Sequence, residues 1–197
     1  MIKYYSINGE LVPKAQASLG VTDLAIQRGY GLFDYFVVKK GQPVFFEDYL
    51  DRVEQSAKWL HLALPVTREV LREQVMRLIR ANGEREAGIK IILTGGYADD
   101  GYSPEKPNLV ILEMPPPTYP ASKFEQGVKL MLYEHHRTFP SAKSINYIVG
   151  RRVNHHFPGQ GAVNWTPVGD LEQPLPLVGI EVALDRDLAS DGISAVG

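Results

Sequence analysis

At 197 residues with 44% apolar side chains, the chain is long enough for one generous domain or two small ones and has an ordinary globular composition. A formal charge of −2, with acids and bases interspersed, leaves no basic face for nucleic acid and no polybasic patch for anionic lipid. The absence of cysteine excludes disulfides and thiolate chemistry. No hydrophobic signal core follows Met1, and no apolar run approaches the roughly 18 residues of a membrane helix, so a cytoplasmic protein is expected.

Residues 3–8 read as a strand, with a turn at Asn8-Gly9 that returns the chain through Leu11-Val12. Residues 23–28 read as a short connector. Residues 32–38 are β-rich and close at Lys39-Lys40-Gly41-Gln42, with residues 43–46 as the return strand of a second hairpin. From Glu47 the period becomes helical: Leu50, Val53, Ala57 and Leu60 share a face, and Pro65 is expected to end that helix. Thr67 is placed to cap a second helix, whose apolar stripe is Leu71, Val75, Leu78 and Ile79 and whose stop is Asn82-Gly83.

Two β-rich runs follow, 88–94 and 108–114, joined by a long glycine-rich loop of the kind that lines sites. The proline cluster Pro115-Pro116-Pro117 can neither continue a helix nor donate to a sheet, so a domain junction is expected there, dividing the chain into 1–117 and 118–197. After it, residues 127–135 alternate as a strand and 144–156 read as a helix. Past Phe157 the prolines leave one convincing strand, near residues 178–183. The adjacent pairs His135-His136 and His155-His156 point their members apart, so no metal centre is expected from them.

Lys143 is the candidate reactive group, because a primary amine can form a Schiff base with an aldehyde cofactor. The segment Lys143-Ser144-Ile145-Asn146-Tyr147 follows Asp51-Arg52 on an amphipathic helix and Arg28-Gly29-Tyr30-Gly31-Leu32-Phe33-Asp34-Tyr35-Phe36 upstream of that. Together these resemble the class IV aminotransferases, the fold-type-IV pyridoxal-phosphate enzymes that include branched-chain and D-amino-acid aminotransferases and aminodeoxychorismate lyase. The resemblance covers about residues 5–152. It implies an α+β, two-domain D-amino-acid-aminotransferase-like fold, with the second domain shortened or altered.

By this resemblance Lys143 is the catalytic residue that holds pyridoxal 5′-phosphate and then moves the substrate proton. Arg52 matches the phosphate anchor, a role suited to a guanidinium that bonds two oxygens at once. Asn146 is expected on the same helical face as Lys143, and Tyr147 matches a tyrosine that bonds the cofactor's phenolic oxygen. Phe33 aligns with an aromatic facing the substrate and Asp34 with the family's usual glutamate. Tyr35 and Tyr30 depart from the commoner residues, and Arg137 is a candidate carboxylate receiver or a salt-bridge partner of Glu134.

The resemblance implies transamination between a branched-chain or D-amino acid and a 2-oxo acid by a homodimer. Aminodeoxychorismate lyase, or an inactive homologue serving as a binding module, are the alternatives. Threonines usual in lyases near Asp34 and Tyr35 are absent. The pattern breaks after about residue 156: the family's later phosphate turns and the acid for the pyridine nitrogen have no recognisable match, and neither Glu172 nor Glu181 has a spacing argument for that role.

Overall fold

The computed structural model describes residues 2–126, 130–134, 139–156 and 161–165. They fall into two compact units, the first made of residues 1–118 and 141–146, the second of residues 119–140 and 147–197. The strip around Lys143 therefore belongs to the first unit, although the chain has entered the second before reaching it.

In the first unit, β1 (Tyr4–Ile7) and β2 (Glu10–Pro13) form the first hairpin, whose corner is Asn8 at φ 50° and Gly9 at φ 88°. Two successive left-handed residues match the twist of the flanking strands, which is why Asn-Gly occupies such corners. The second hairpin joins β3 (Gly31–Lys39) to β4 (Gln42–Pro43), which is shorter than the expected 43–46. Phe45 adopts a left-handed conformation (φ 52°, ψ 39°) that ends the strand, and the next helix starts at Phe46.

Between the hairpins lies a helix where a connector was expected, α1 (Leu24–Arg28), capped by the Asp23 carboxylate accepting from the Ala25 N–H at 2.8 Å and closed by Gly29 at φ 64°. The first long helix, α2 (Phe46–Trp59), stops short of Pro65: His61 turns the chain at φ 51° before the proline is reached. The next, α3 (Arg68–Asn82), starts with the Thr67 hydroxyl accepting from the Val70 N–H and ends at Gly83 in the left-handed region.

Strands β5 (Ala87–Thr94) and β6 (Leu109–Met114) complete an antiparallel six-stranded sheet in the order β2-β1-β6-β5-β3-β4. Alternation places Leu32, Asp34, Phe36 and Val38 of β3, Ile89, Ile91 and Leu93 of β5, and Ile111 and Glu113 of β6 on one buried face. Leu50, Val53 and Ala57 of α2 and Leu71, Val75, Leu78 and Ile79 of α3 bury their stripes in the same core. The opposite face carries half-buried Phe33, Tyr35, Lys90 and Ile92.

The core includes a buried acid. Glu113 is fully enclosed; its Oε2 accepts from the Asn82 amide at 2.9 Å, and no described group bonds Oε1. Burial pushes the Glu113 carboxyl above its usual range, against the smaller lowering effect of the Asn82 bond, and the Glu84 charge adds to the rise. Asn82 also ties α3 to the start of β1, accepting from the Lys3 and Tyr4 N–H groups at 2.9 Å each.

The second unit contains α4 (Ser122–Gln126), β7 (Leu130–Glu134), α5 (Ile148–His156) and β8 (Gly161–Trp165). β7 and β8 pair in parallel, from Leu130↔Gly161 to Glu134↔Trp165. A parallel pair needs a crossover; here it contains the return of residues 141–146 to the first unit and then α5. The helix expected over 144–156 begins only at Ile148, because Ser144 is held as a strand bridge. β8 is a strand that the sequence pattern did not suggest, and the strand expected near 178–183 lies outside the described residues. No helix among the described residues is long and apolar enough to cross a membrane.

Candidate active site

Ser144 bridges Leu32 in antiparallel fashion, the Phe33 N–H donates to the Lys143 carbonyl at 2.9 Å, and the Ile145 N–H donates to the Gly31 carbonyl at 3.1 Å. The strip thus extends the sheet along the first half of β3, and its preceding residue, Ala142, is buried in the core. The Lys143 N–H turns instead to α2, donating to the buried Ser56 hydroxyl at 3.1 Å. Because the segment is extended, Lys143 and Asn146 do not share a helical face as the sequence suggested.

Residues opposite each other in an antiparallel pair point to the same side, so Ser144 faces with Leu32, and Lys143 faces with Phe33. The Lys143 Nζ lies over the Phe33 ring, 5.4 Å from its centroid. A second ammonium, Lys90 Nζ, lies 4.6 Å from the same centroid. Lys90 was not among the sequence candidates; only the β3/β5 register, which sets Lys90 opposite Tyr35, reveals it. Tyr35 lies across Gly88, where an added Cβ would come within 2.1 Å of the tyrosine oxygen.

Arg52 projects from α2 to Asp34 of β3. Nε donates to Oδ2 and Nη2 to Oδ1, each at 2.6 Å, and the guanidinium packs over the Tyr49 ring at 4.9 Å. Its helix neighbours Asp51 and Glu54 both bond Arg68 of α3. Asp34 is buried while the Arg52 side chain is 47% exposed, so the pair sits at the rim with its acid inward. Strand alternation sends Phe33 and Asp34 to opposite faces of β3; α2 joins the two, carrying Arg52 on one turn and Ser56 on the next.

Around this centre, the Tyr30 hydroxyl donates to the Leu60 carbonyl just past α2, and burial raises the tyrosine's pKa. The glycine-rich loop 95–107 has its neck pinned by a buried network in which Asp23 accepts from the Thr94 hydroxyl at 2.7 Å and the Asn108 amide at 2.8 Å. Gly96, at φ 82°, is required there: a Cβ would meet the Lys106 carbonyl oxygen at 2.0 Å. Tyr147 belongs to the second unit, where its carbonyl accepts from the Arg151 N–H at 3.0 Å. Arg137 lies outside the described residues.

The donor set is a half-buried primary amine against an aromatic wall, and a rim guanidinium one helix away. A primary amine can capture an aldehyde, and a guanidinium can bond an anionic group.

Comparison with known proteins places the chain in a family. The family model described as amino-transferase class IV matches residues 31–164. A putative branched-chain-amino-acid aminotransferase of Methanocaldococcus jannaschii is 28% identical over 150 residues, covering 72% of this chain and 51% of the relative. A bifunctional aminodeoxychorismate lyase / D-amino acid transaminase of Mycobacterium tuberculosis is 26% identical over 172 residues, covering 80% and 57%. The solved structure of the Escherichia coli branched-chain amino acid aminotransferase superposes with a TM-score of 0.75 at 21% identity, covering 85% of this chain and 60% of that one, which shows a shared fold. The chain spans about half the length of these curated relatives. It is a member of the class IV aminotransferases, with their fold-type-IV α+β architecture.

Proposed function

We propose that the protein is a pyridoxal-phosphate-dependent aminotransferase, moving an amino group from a branched-chain or D-amino acid to a 2-oxo acid, as a cytoplasmic homodimer. The observation that carries this reading is the placement of Lys143, extended along β3 with its amine over Phe33. Pyridoxal 5′-phosphate, when bound, supplies an aldehyde that accepts an amine and a ring that spreads the negative charge left when a proton leaves the α-carbon.

The chain's own residues would do the rest. The Lys143 amine would hold the aldehyde and, once displaced by the substrate amine, carry the α-proton as a base within reach. Phe33 would wall off water on one side of that amine. Arg52, oriented by Asp34 and Tyr49, would take the phosphate, and Tyr35 and Lys90, on the Phe33 face, would meet the substrate. Tyr147 and Arg137 remain proposed cofactor and carboxylate contacts. The acid for the pyridine nitrogen would come from outside the described residues, where Glu172 and Glu181 both lie.

The test is reduction with borohydride in the presence of pyridoxal 5′-phosphate, followed by peptide mapping. Wild type should develop a visible absorbance that borohydride abolishes and carry the added mass at Lys143, and Lys143→Ala should do neither. A colourless wild-type protein without label would favour an inactive relative that serves as a binding module. Label confined to another lysine would move the site. If the label falls on Lys143, product analysis with aminodeoxychorismate separates lyase from transaminase.

A further inference from the structure

Ser56 is a polar residue in the buried stripe of α2, 1% exposed among Val53, Ala57 and Leu60. A hydroxyl in such a place costs stability unless it is bonded, and its partner is the backbone N–H of Lys143 at 3.1 Å. In a continuing antiparallel ladder, Lys143 and Phe33 would exchange both of their backbone hydrogen bonds. The Phe33 N–H donates to the Lys143 carbonyl as such a ladder requires, while the Lys143 N–H goes to Ser56.

The hydroxyl therefore fixes where the ladder ends and which way the Lys143 peptide faces. Ser56 also lies one turn from Arg52 on the same side of α2, so a single helix sets both the arginine and the backbone from which the lysine side chain departs.

We infer that Ser56 is a positioning residue for Lys143: its side chain aims the amine over Phe33 and keeps it in register with Arg52. This rests on the proposed role of Lys143. A purely structural serine would affect melting but not the reactivity of Lys143 in the folded protein, and that difference is measurable.

Ser56→Ala and Ser56→Thr would be compared with wild type in the full chain for the rate of borohydride-trapped labelling at Lys143 by pyridoxal 5′-phosphate, scaled to the folded fraction. Ser56→Ala should slow labelling about tenfold, the factor equivalent to one typical hydrogen bond, and Ser56→Thr should restore it to within about threefold of wild type. Equal labelling rates in wild type and Ser56→Ala overturn the inference. Amide hydrogen exchange on the wild-type chain needs no cofactor: the Lys143 N–H should exchange at least about 100-fold slower than in an open peptide. Unprotected exchange there overturns the inference even if Ser56→Ala does not fold. Wild type that shows the protected amide but takes no label at Lys143 refutes the cofactor reading, and the positioning role with it.

Discussion

Glu113→Gln tests the energetics of the core most directly. The Glu113 carboxyl is fully enclosed, has one oxygen bonded to Asn82 and is raised above the ordinary value of 4.5 chiefly by burial. A group whose folded pKa lies above its unfolded one contributes stability that is fully present below the unfolded pKa and is lost as pH rises through the folded pKa. Wild type should therefore lose stability relative to Glu113→Gln from about pH 4.5 upward, by at most about 1.4 kcal/mol per pH unit for a single proton, and the gap should level off above the folded pKa. For a chain of this size each kcal/mol corresponds to about 2–4 °C in Tm. Melting both proteins by circular dichroism between pH 4 and pH 8 measures the gap directly. Parallel pH profiles would show that Glu113 ionises as freely in the fold as in the unfolded chain, and the description of its surroundings would be wrong.

Arg52→Ala removes the guanidinium from a buried carboxylate; it should cost about 1–3 kcal/mol of stability and weaken pyridoxal 5′-phosphate uptake. Adding Asp34→Asn should recover part of the stability but not the uptake, as chemical denaturation and cofactor titration would show. Gly88→Ala places a Cβ on the Tyr35 hydroxyl, so Tyr35 must move; a loss of about 1–3 kcal/mol is expected, and an unchanged Tm would contradict the packing seen. The Arg72 and Arg68 guanidinium groups bonded to Glu47 hold its carboxyl down at about 2. The stability it contributes is present above its usual 4.5 and is lost as pH falls toward 2, so Glu47→Gln should flatten the acid limb of the Tm profile.

The parts of the fold legible in the sequence are those with local causes. Asn8-Gly9 and Gly41 mark corners because of their own backbone preferences, and the stripes of α2 and α3 are visible because a helix repeats within one turn. Phe45 and His61 show the limit: each takes a left-handed conformation that periodicity and spacing do not reveal, and each moves a boundary. The same holds at the candidate site. Lys143, Arg52 and Phe33 could be read from a motif, but the Asp34 partner of Arg52, the placement of Lys90 and the bridge that keeps Ser144 out of a helix depend on strand register. Register is fixed by residues far away in sequence, so period and spacing within one segment do not contain it. β8 was missed for a related reason: a short parallel strand is defined by its partner β7 more than by its own composition.

The return of residues 141–146 to the first unit has a consequence for how the protein can be divided. A fragment ending at Thr118 would contain all six strands of the main sheet yet leave the first half of β3 with bare backbone donors and acceptors along one side. It would gain a sticky border and lose its amine in the same cut. Fragment expression or domain swapping that treats the proline cluster as a clean hinge should give an aggregating, unreactive product, and supplying residues 139–147 as a separate peptide is the natural way to mend it.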